Sequence, residues 1–287
     1  MAMDADKLLS WPLADVVHTY DVRDTLLYAL GVGAGGDPTD PQDLPFVYED
    51  GLKALPTMAV VLGYPGFWLK EQNTGVDWTR VLHGSQGMVI HRPLPVAGTV
   101  IGRTRVTDLV DKGAGKGALL FSARDVIDQA SGDLLATLTS TTMLRGDGGF
   151  GGPSGPVPAP HPIPERAPDA SLDLPTVPQA ALIYRLSGDY NPLHADPKVA
   201  AAAGFARPIL HGLCTYAVAG RALLKLACAG DPARLTAMSV RFSAPVYPGE
   251  TLRTQIWREG DVLSFRCFAV ERALKVLDNG RAEIAPA

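Results

Sequence analysis

A carboxylate and an imidazole stand five residues apart, as Asp189 and His194, in the segment Tyr184-Arg-Leu-Ser-Gly-Asp-Tyr-Asn-Pro-Leu-His194. Between them Asn191-Pro192 fixes one dihedral and bars a regular helix, so a turn can aim both side chains at one point. That point could hold a water molecule. An aspartate at its ordinary pKa of about 3.9 is a poor base at neutral pH unless burial or a partner helps it. A water shared with His194 would improve both groups, and such a pair suits adding water to an activated double bond, or removing it, with no covalent intermediate. Downstream, Pro208-Ile-Leu-His-Gly212 precedes an apolar run, and Gly212 would offer a free backbone N–H at the positive end of a helix. Lacking a Cβ, it would let a carbonyl oxygen approach and would stabilise an enolate there. Singly, Asp189 reads as a turn carboxylate, His194 as a satisfied surface histidine and Gly212 as a bend. In this order together they favour chemistry.

The elements that must hold these groups are legible around them. Asp196-Pro197 through Gly204 has an N-cap Asp, Pro at the first helical position and a closing Gly, which predicts a short helix directly after His194. The run after Gly212 is apolar nearly all round, its charges Arg221 and Lys225 lying four apart on one side, which predicts a mostly buried helix. Leu252, Thr254 and Ile256 alternate onto one strand face, as do Leu263, Phe265, Cys267 and Ala269. Ala118 to Arg124 and Leu134 to Leu144 flank a hairpin-type turn. Residues 146–164 hold six Gly and six Pro in nineteen positions, too few side chains and donors for a core. A division into 1–150, a linker at 151–164 and 165–287 follows. The halves repeat one order of parts: Tyr28-Ala-Leu-Gly or Tyr184-Arg-Leu-Ser, an apolar stretch (52–69, or the run after Gly212), then Pro93 to Gly98 or Pro245 to Gly249 opening a strand-rich run. The expected architecture is α+β, two tandem antiparallel sheets each wrapping a helix, with the helices back to back.

Composition excludes several partners. With 46% hydrophobic and 20% charged residues and a net charge of −4, the 287-residue chain lacks the basic balance of a nucleic-acid or membrane-surface protein. Cys214, Cys228 and Cys267 are odd in number, lack metal or redox spacing and lie in apolar stretches, as reduced core residues of a cytosolic protein do. The start Met1-Ala-Met-Asp-Ala-Asp-Lys has no signal-like run, and the final Ile-Ala-Pro-Ala is no peroxisomal S-K-L address, so a cytoplasmic location is expected. Gly31-Val-Gly-Ala-Gly-Gly36 satisfies G-x-G-x-x-G, but a helical pattern precedes it and a loop follows, which argues against a nicotinamide site.

The segment from Tyr184 to His194 with Arg207-Pro-Ile-Leu-His-Gly-Leu-Cys-Thr215 resembles the hydratase motif of the MaoC-like, (R)-specific enoyl-CoA hydratases. Almost the whole chain is similar to the enoyl-CoA hydratase 2 family, also found as the hydratase part of peroxisomal multifunctional enzyme type 2. The likeness extends to Tyr28-Ala-Leu-Gly-Val-Gly33, Phe46-Val-Tyr-Glu49, Val81-Leu-His-Gly84, Asp111-Lys-Gly113 and Gly148-Gly-Phe-Gly-Gly152. It implies a double hot-dog fold and hydration of trans-2-enoyl-CoA to (3R)-3-hydroxyacyl-CoA without metal or cofactor, coenzyme A entering only as part of the substrate. It implies further that Asp189 and His194 hold the catalytic water, that Asn191 orients the site and that Gly212 binds the thioester oxygen. His83, Gly84, Lys112 and Phe242 would contact the coenzyme A portion, Tyr190, Pro192 and Leu193 would line the substrate, and Tyr28 and Glu49 would support activity from the first half. Alone, Glu49 reads as a surface acid, Tyr28 and Phe242 as core aromatics and Lys112 as a turn charge; Lys112 and Arg241 could also meet an anionic ligand. Aligning Tyr28 with Tyr184 puts Gly33 opposite Asp189 and Pro38 opposite His194, so one active site per chain is expected, the first half serving the acyl tail with its helix region at Leu52 to Leu69, which Pro56, Gly63, Pro65 and Gly66 make irregular. The family tends to form dimers, so a homodimer is expected here. The competing functions are an acyl-CoA thioesterase and a non-catalytic acyl-thioester binder.

Overall fold

A computed structural model describes residues 3–286. Ten strands form one continuous antiparallel sheet: β1 (Val16–Tyr20), β2 (Val81–Ile90), β3 (Gly98–Asp111), β4 (Ala118–Asp128), β5 (Leu134–Leu144), β6 (Ala170–Pro175), β7 (Leu235–Phe242), β8 (Thr251–Glu259), β9 (Val262–Ala269) and β10 (Leu274–Ile284). Their order is β1-β3-β4-β5-β2-β7-β10-β9-β8-β6. Read from each outer edge inward, the halves carry the same sequence of strands, 1-3-4-5-2 and 6-8-9-10-7, and they meet edge to edge where β2 pairs with β7, Gly87 opposite Ser239. Ladder pairing at the junction satisfies two edges that would otherwise stay open. The segment at 151–164 has no regular secondary structure and is tied down near both ends, where Asp111 N–H donates to Pro153 O and the His161 ring meets Ser264 Oγ at 2.8 Å.

The alternation expected in the second half points its apolar set inward: Leu252, Thr254, Leu263, Phe265, Cys267 and Ala269 are wholly buried. They pack against the long helix Gly212–Ala227, the only helix longer than ten residues among those described. The first half departs from expectation in degree, because the irregular helix expected at 52–69 gives way altogether and no long helix fills its sheet among the described residues. Residues 52–69 give a 3-10 turn, Pro56–Val60, a loop, and only the start of a short helix at Trp68–Glu71. Pro56 and Pro65 remove amide donors, and Gly63 and Gly66 sit at φ +60 and +74, outside helical geometry. The expected pair of back-to-back helices is therefore one helix against a 3-10 turn, and the approach is tight: a Cβ on Gly220 would lie 2.7 Å from Thr57 Cγ2.

The repeat is visible at the aligned tyrosines. Tyr28 ends one turn short of the close of helix Val22–Gly31 and Tyr184 closes helix Ala180–Tyr184, and their buried rings meet with centroids 5.9 Å apart. Because Gly31-to-Gly36 follows that helix and not a strand, the glycine pattern has no dinucleotide-binding context. All three cysteines are free and buried, and no helix is long and apolar enough to cross a membrane, among the described residues.

Candidate active site

The loop that ends helix Ala180–Tyr184 is shaped by its own side chains. Gly188 adopts φ +115, Asp189 Oδ1 accepts the Asn191 N–H at 3.2 Å, and Asn191 Oδ1 accepts the Leu193 N–H at 3.1 Å. Asn191 thereby caps the 3-10 turn Pro192–His194, which delivers His194 inward five residues after Asp189. The short helix expected next is present as Pro197–Ala202, with Asp196 accepting the Lys198 N–H. Turn residues that bond their own backbone give the loop one conformation instead of many.

His194 is buried, and its Nδ1 lies 2.8 Å from Ile209 O. A carbonyl can only accept, so Nδ1 carries the proton and Nε2 of the neutral ring keeps a bare lone pair. His211 stacks on it with ring centroids 3.7 Å apart, and the His211 Nε2–H donates to Asp189 O at 3.1 Å. Ligand-type atoms of Asp189, His194 and His211 all fall within 4.8 Å of one another. Such a carboxylate-and-two-imidazole set also has the donor chemistry to hold a divalent ion. Gly212 follows His211 directly and opens the long helix, so its N–H has no intrahelical acceptor. A Cβ at Gly212 would lie 3.2 Å from Phe242 Cε1, and the Phe242 ring in turn meets the His83 ring at 4.7 Å. Asp189 and His194, the helix-end amide and the His83–Phe242 pair thus form one chain of contacts across the β2–β7 junction.

Other expected residues are placed as follows. Tyr28 is buried behind the site through Tyr184, whose ring also packs on His211 at 5.0 Å. Gly84 is on β2 next to His83, its Cα close to Thr141 O, where a Cβ would come to 3.1 Å. Tyr190 is exposed under the Arg185 guanidinium, Pro192 is exposed and Leu193 half-buried on the loop between Asp189 and His194. Lys112 is exposed in the turn between β3 and β4, three strands from β2, and Arg241 is exposed on β7. Glu49 is exposed in the loop after the short helix Leu44–Val47, and the structure does not bring it to Asp189 or His194 through any hydrogen bond or ion pair. His211 is the residue that sequence reasoning missed. Its signal was its place directly before Gly212, but its partner is a backbone carbonyl, which leaves no trace in side-chain types.

Three imidazoles here are held neutral by removal from water. Burial pushes His211 down to about 3 and His83 down to about 4, and lowers His194 below the usual 6.5. Since the unfolded chain protonates these rings at their ordinary pKa while the folded chain does not, their contribution is intact above pH 6.5 and is lost as pH falls toward those lower values. Each of His83 and His211 is expected to take away about 2 kcal/mol by pH 5. Urea midpoints measured at pH 7 and pH 5 check this, and a flat profile over that window would refute it.

The chain is similar to known proteins along nearly its whole length. Residues 18–146 match the model of the MFE-2 hydratase 2 N-terminal domain and residues 160–279 that of the MaoC like domain. The chain is 49% identical over 241 residues to 3-hydroxyacyl-thioester dehydratase Y of Mycobacterium tuberculosis, covering 82% of this chain and 81% of that protein. It is 40% identical to the peroxisomal enoyl-CoA hydratase 2 of Arabidopsis thaliana, covering 96% and 93%. The crystal structure of a MaoC-like dehydratase from Phytophthora capsici superposes with a TM-score of 0.85 at 38% identity, covering 98% of this chain and 99% of that one. The two domain models match nearly the whole chain in succession and the curated relative is covered almost end to end, so the chain belongs to the MaoC-like enoyl-CoA hydratase 2 family.

Proposed function

We propose that the protein adds water reversibly to trans-2-enoyl-CoA, giving (3R)-3-hydroxyacyl-CoA. The observation that carries this reading is the convergence of the Asp189 carboxylate with the His194 and His211 rings within 4.8 Å, the His194 Nδ1–H committed to Ile209. Asp189 and His194 Nε2 are both acceptors, so a water between them donates one proton to each and turns its lone pair outward. Attack of that oxygen at C3 moves the π electrons toward the thioester, whose oxygen is held by the Gly212 N–H and the positive end of the long helix. The pair takes the proton the water loses and returns one to C2 on the same face, so H and OH add across the double bond and nothing else is consumed. Asn191 fixes the loop, and His211 is a positioning residue that holds the Asp189 peptide.

His83, Gly84 and Phe242 along β2 and β7 form the wall for the pantetheine, Lys112 and Arg241 supply exposed cations for its phosphates, and Tyr190, Pro192 and Leu193 form the rim. Tyr28 backs the site, and Glu49 acts from its exposed loop. The first half, residues 1–150, receives the acyl tail: a groove of about 400 Å³ lined by Leu27, Met58, Val61 and Leu62 opens beside Ser187 and Gly188, next to Asp189. No cofactor enters this scheme. Three free buried cysteines suit the reducing cytoplasm, and we expect a homodimer, which sedimentation would test. The function is tested by offering trans-2-enoyl-CoA: the conjugated chromophore should disappear without release of free thiol, and the product should be the (3R) isomer. Thiol release would make the protein a thioesterase, and saturable binding without turnover would make it a carrier.

A further inference from the structure

Arg124 is buried on the face of β4 that also carries Leu120 and Val126, yet it makes no ion pair among the described residues. Arg221, the other buried arginine among them, has the Asp43 carboxylate. What Arg124 holds instead is the loop that follows the 3-10 turn Pro56–Val60. Its Nη2–H donates to Val60 O at 2.6 Å, and its guanidinium lies behind the ring of Tyr64, 5.4 Å from the centroid. A half-buried histidine grips the same loop from β1, where His18 Nδ1 accepts the Gly63 N–H at 3.1 Å. The loop has no room to retreat toward the sheet: a Cβ on Gly102 would stand 2.1 Å from Gly63 O, so backbone already presses on backbone. Tyr64 lines the groove with the sheet and a cation at its back, and Arg124 is closed off behind it. The cation serves the wall and not the ligand.

The lining of the groove says what that wall meets. Asp24 contributes its carboxylate, which accepts the Asp21 N–H and makes no ion pair among the described residues, so an anionic group is repelled there. Val16, Leu27, Met58, Val61 and Leu62 give the groove an apolar floor, and Ser187 and Gly188 border it directly before Asp189. An uncharged hydrocarbon chain reaching away from Asp189 matches this surface. A wall that cannot give way selects such a chain by its width. A branch that meets the ring has to push it against the packed loop and guanidinium behind it, as an extra methyl does in a filled core.

We propose that Tyr64 is a specificity-determining residue of the first-half groove, a braced wall that admits straight uncharged acyl chains and rejects those branched where they pass its ring, with Arg124 as the positioning residue behind it. This role rests on the hydratase reading and deepens it. The test uses trans-2-enoyl-CoAs of one carbon number, straight or with a methyl branch at successive positions from C4 outward. At the position that meets the ring, kcat/KM of the branched isomer should fall about tenfold or more below that of the straight one. Tyr64→Ala should bring the ratio near one at that position, and Tyr64→Phe, which keeps the ring, should retain it. Tyr64→Leu makes the same comparison where Tyr64→Ala does not fold. Arg124→Met should relax the ratio part of the way and Arg124→Lys should restore it, whereas a residue that only stabilised the fold would lower kcat/KM for all isomers alike. Equal kcat/KM for every isomer in the wild type, or a ratio unchanged in Tyr64→Ala or Tyr64→Leu, would overturn the proposal; a ratio unchanged in Arg124→Met would overturn the part given to Arg124. If no enoyl-CoA is hydrated, the hydratase reading fails by itself, and calorimetric Kd values for saturated straight and branched acyl-CoAs read the same discrimination.

Discussion

Asp189→Asn is expected to lower kcat by roughly 10²–10⁴ while KM changes little. Asn keeps the shape of the side chain and an oxygen to accept the Asn191 N–H, so the turn survives and what disappears is the proton acceptor. His194→Gln should have an effect of the same size, because an amide can still donate to Ile209 O but has no basic lone pair. The double variant should be scarcely worse than either single one, since the two groups act on one water. The pH profile separates this role from a structural one. In the proposed mechanism turnover needs neutral His194, whose pKa burial lowers below 6.5 while the hydrogen bond to Ile209 and the Asp189 charge draw it part of the way back up. Wild-type kcat/KM should therefore fall as pH drops through a value under 6.5. With the Asp189 charge removed, that limb should move to still lower pH, and in His194→Gln it should vanish. Wild-type turnover in Asp189→Asn, or an acid limb that moves upward, would refute the assignment.

What could be read in advance was local. Asp189, Asn191, Pro192 and His194 lie in one loop whose hydrogen bonds run between neighbours, so the types and spacing carry the geometry. The same holds for helix Pro197–Ala202, marked by its cap and proline, and for β8 and β9, marked by alternation. Reading failed where partners are distant in sequence. In the 52–69 stretch the irregularity at Pro56, Gly63, Pro65 and Gly66 was legible, but not its extent, because the packing of this stretch on Gly220 and Gly102 is set by tertiary contact. Arg124 occupies an inward position in an otherwise regular strand, where a charge gives no hint of burial. Glu49 shows the opposite limit: the likeness that singles it out says nothing of its surroundings, and it stands exposed.

Breaking one buried ion pair should destabilise the whole chain more than any other surface or loop change described above. Arg221 and Lys225, read from the sequence as a charged stripe on an apolar helix, reach across to the first half. Arg221 is 4% exposed, donating to Asp43 at 2.7 Å and to Val32 O at 3.0 Å, and Lys225 pairs with Asp43 at 2.9 Å and with Asp40. Asp43 also accepts the Gly35 N–H, so one carboxylate ties the glycine loop of the first half to the long helix of the second. This is what the glycines serve: at Gly33, with φ +85, a Cβ would come to 3.2 Å from Arg221 Nη1. Asp43→Ala strands the Arg221 charge away from water and is expected to cost about 3–5 kcal/mol, a fall in Tm of roughly 6–20 °C for a chain of this size. Arg221→Met removes the charge instead of stranding it, so the pair Asp43→Ala with Arg221→Met should lose less than the two single changes added together. Urea midpoints for the three variants measure this coupling. A loss below about 1 kcal/mol in Asp43→Ala would mean that water reaches the guanidinium and that the halves are held together by their shared sheet and apolar contacts alone.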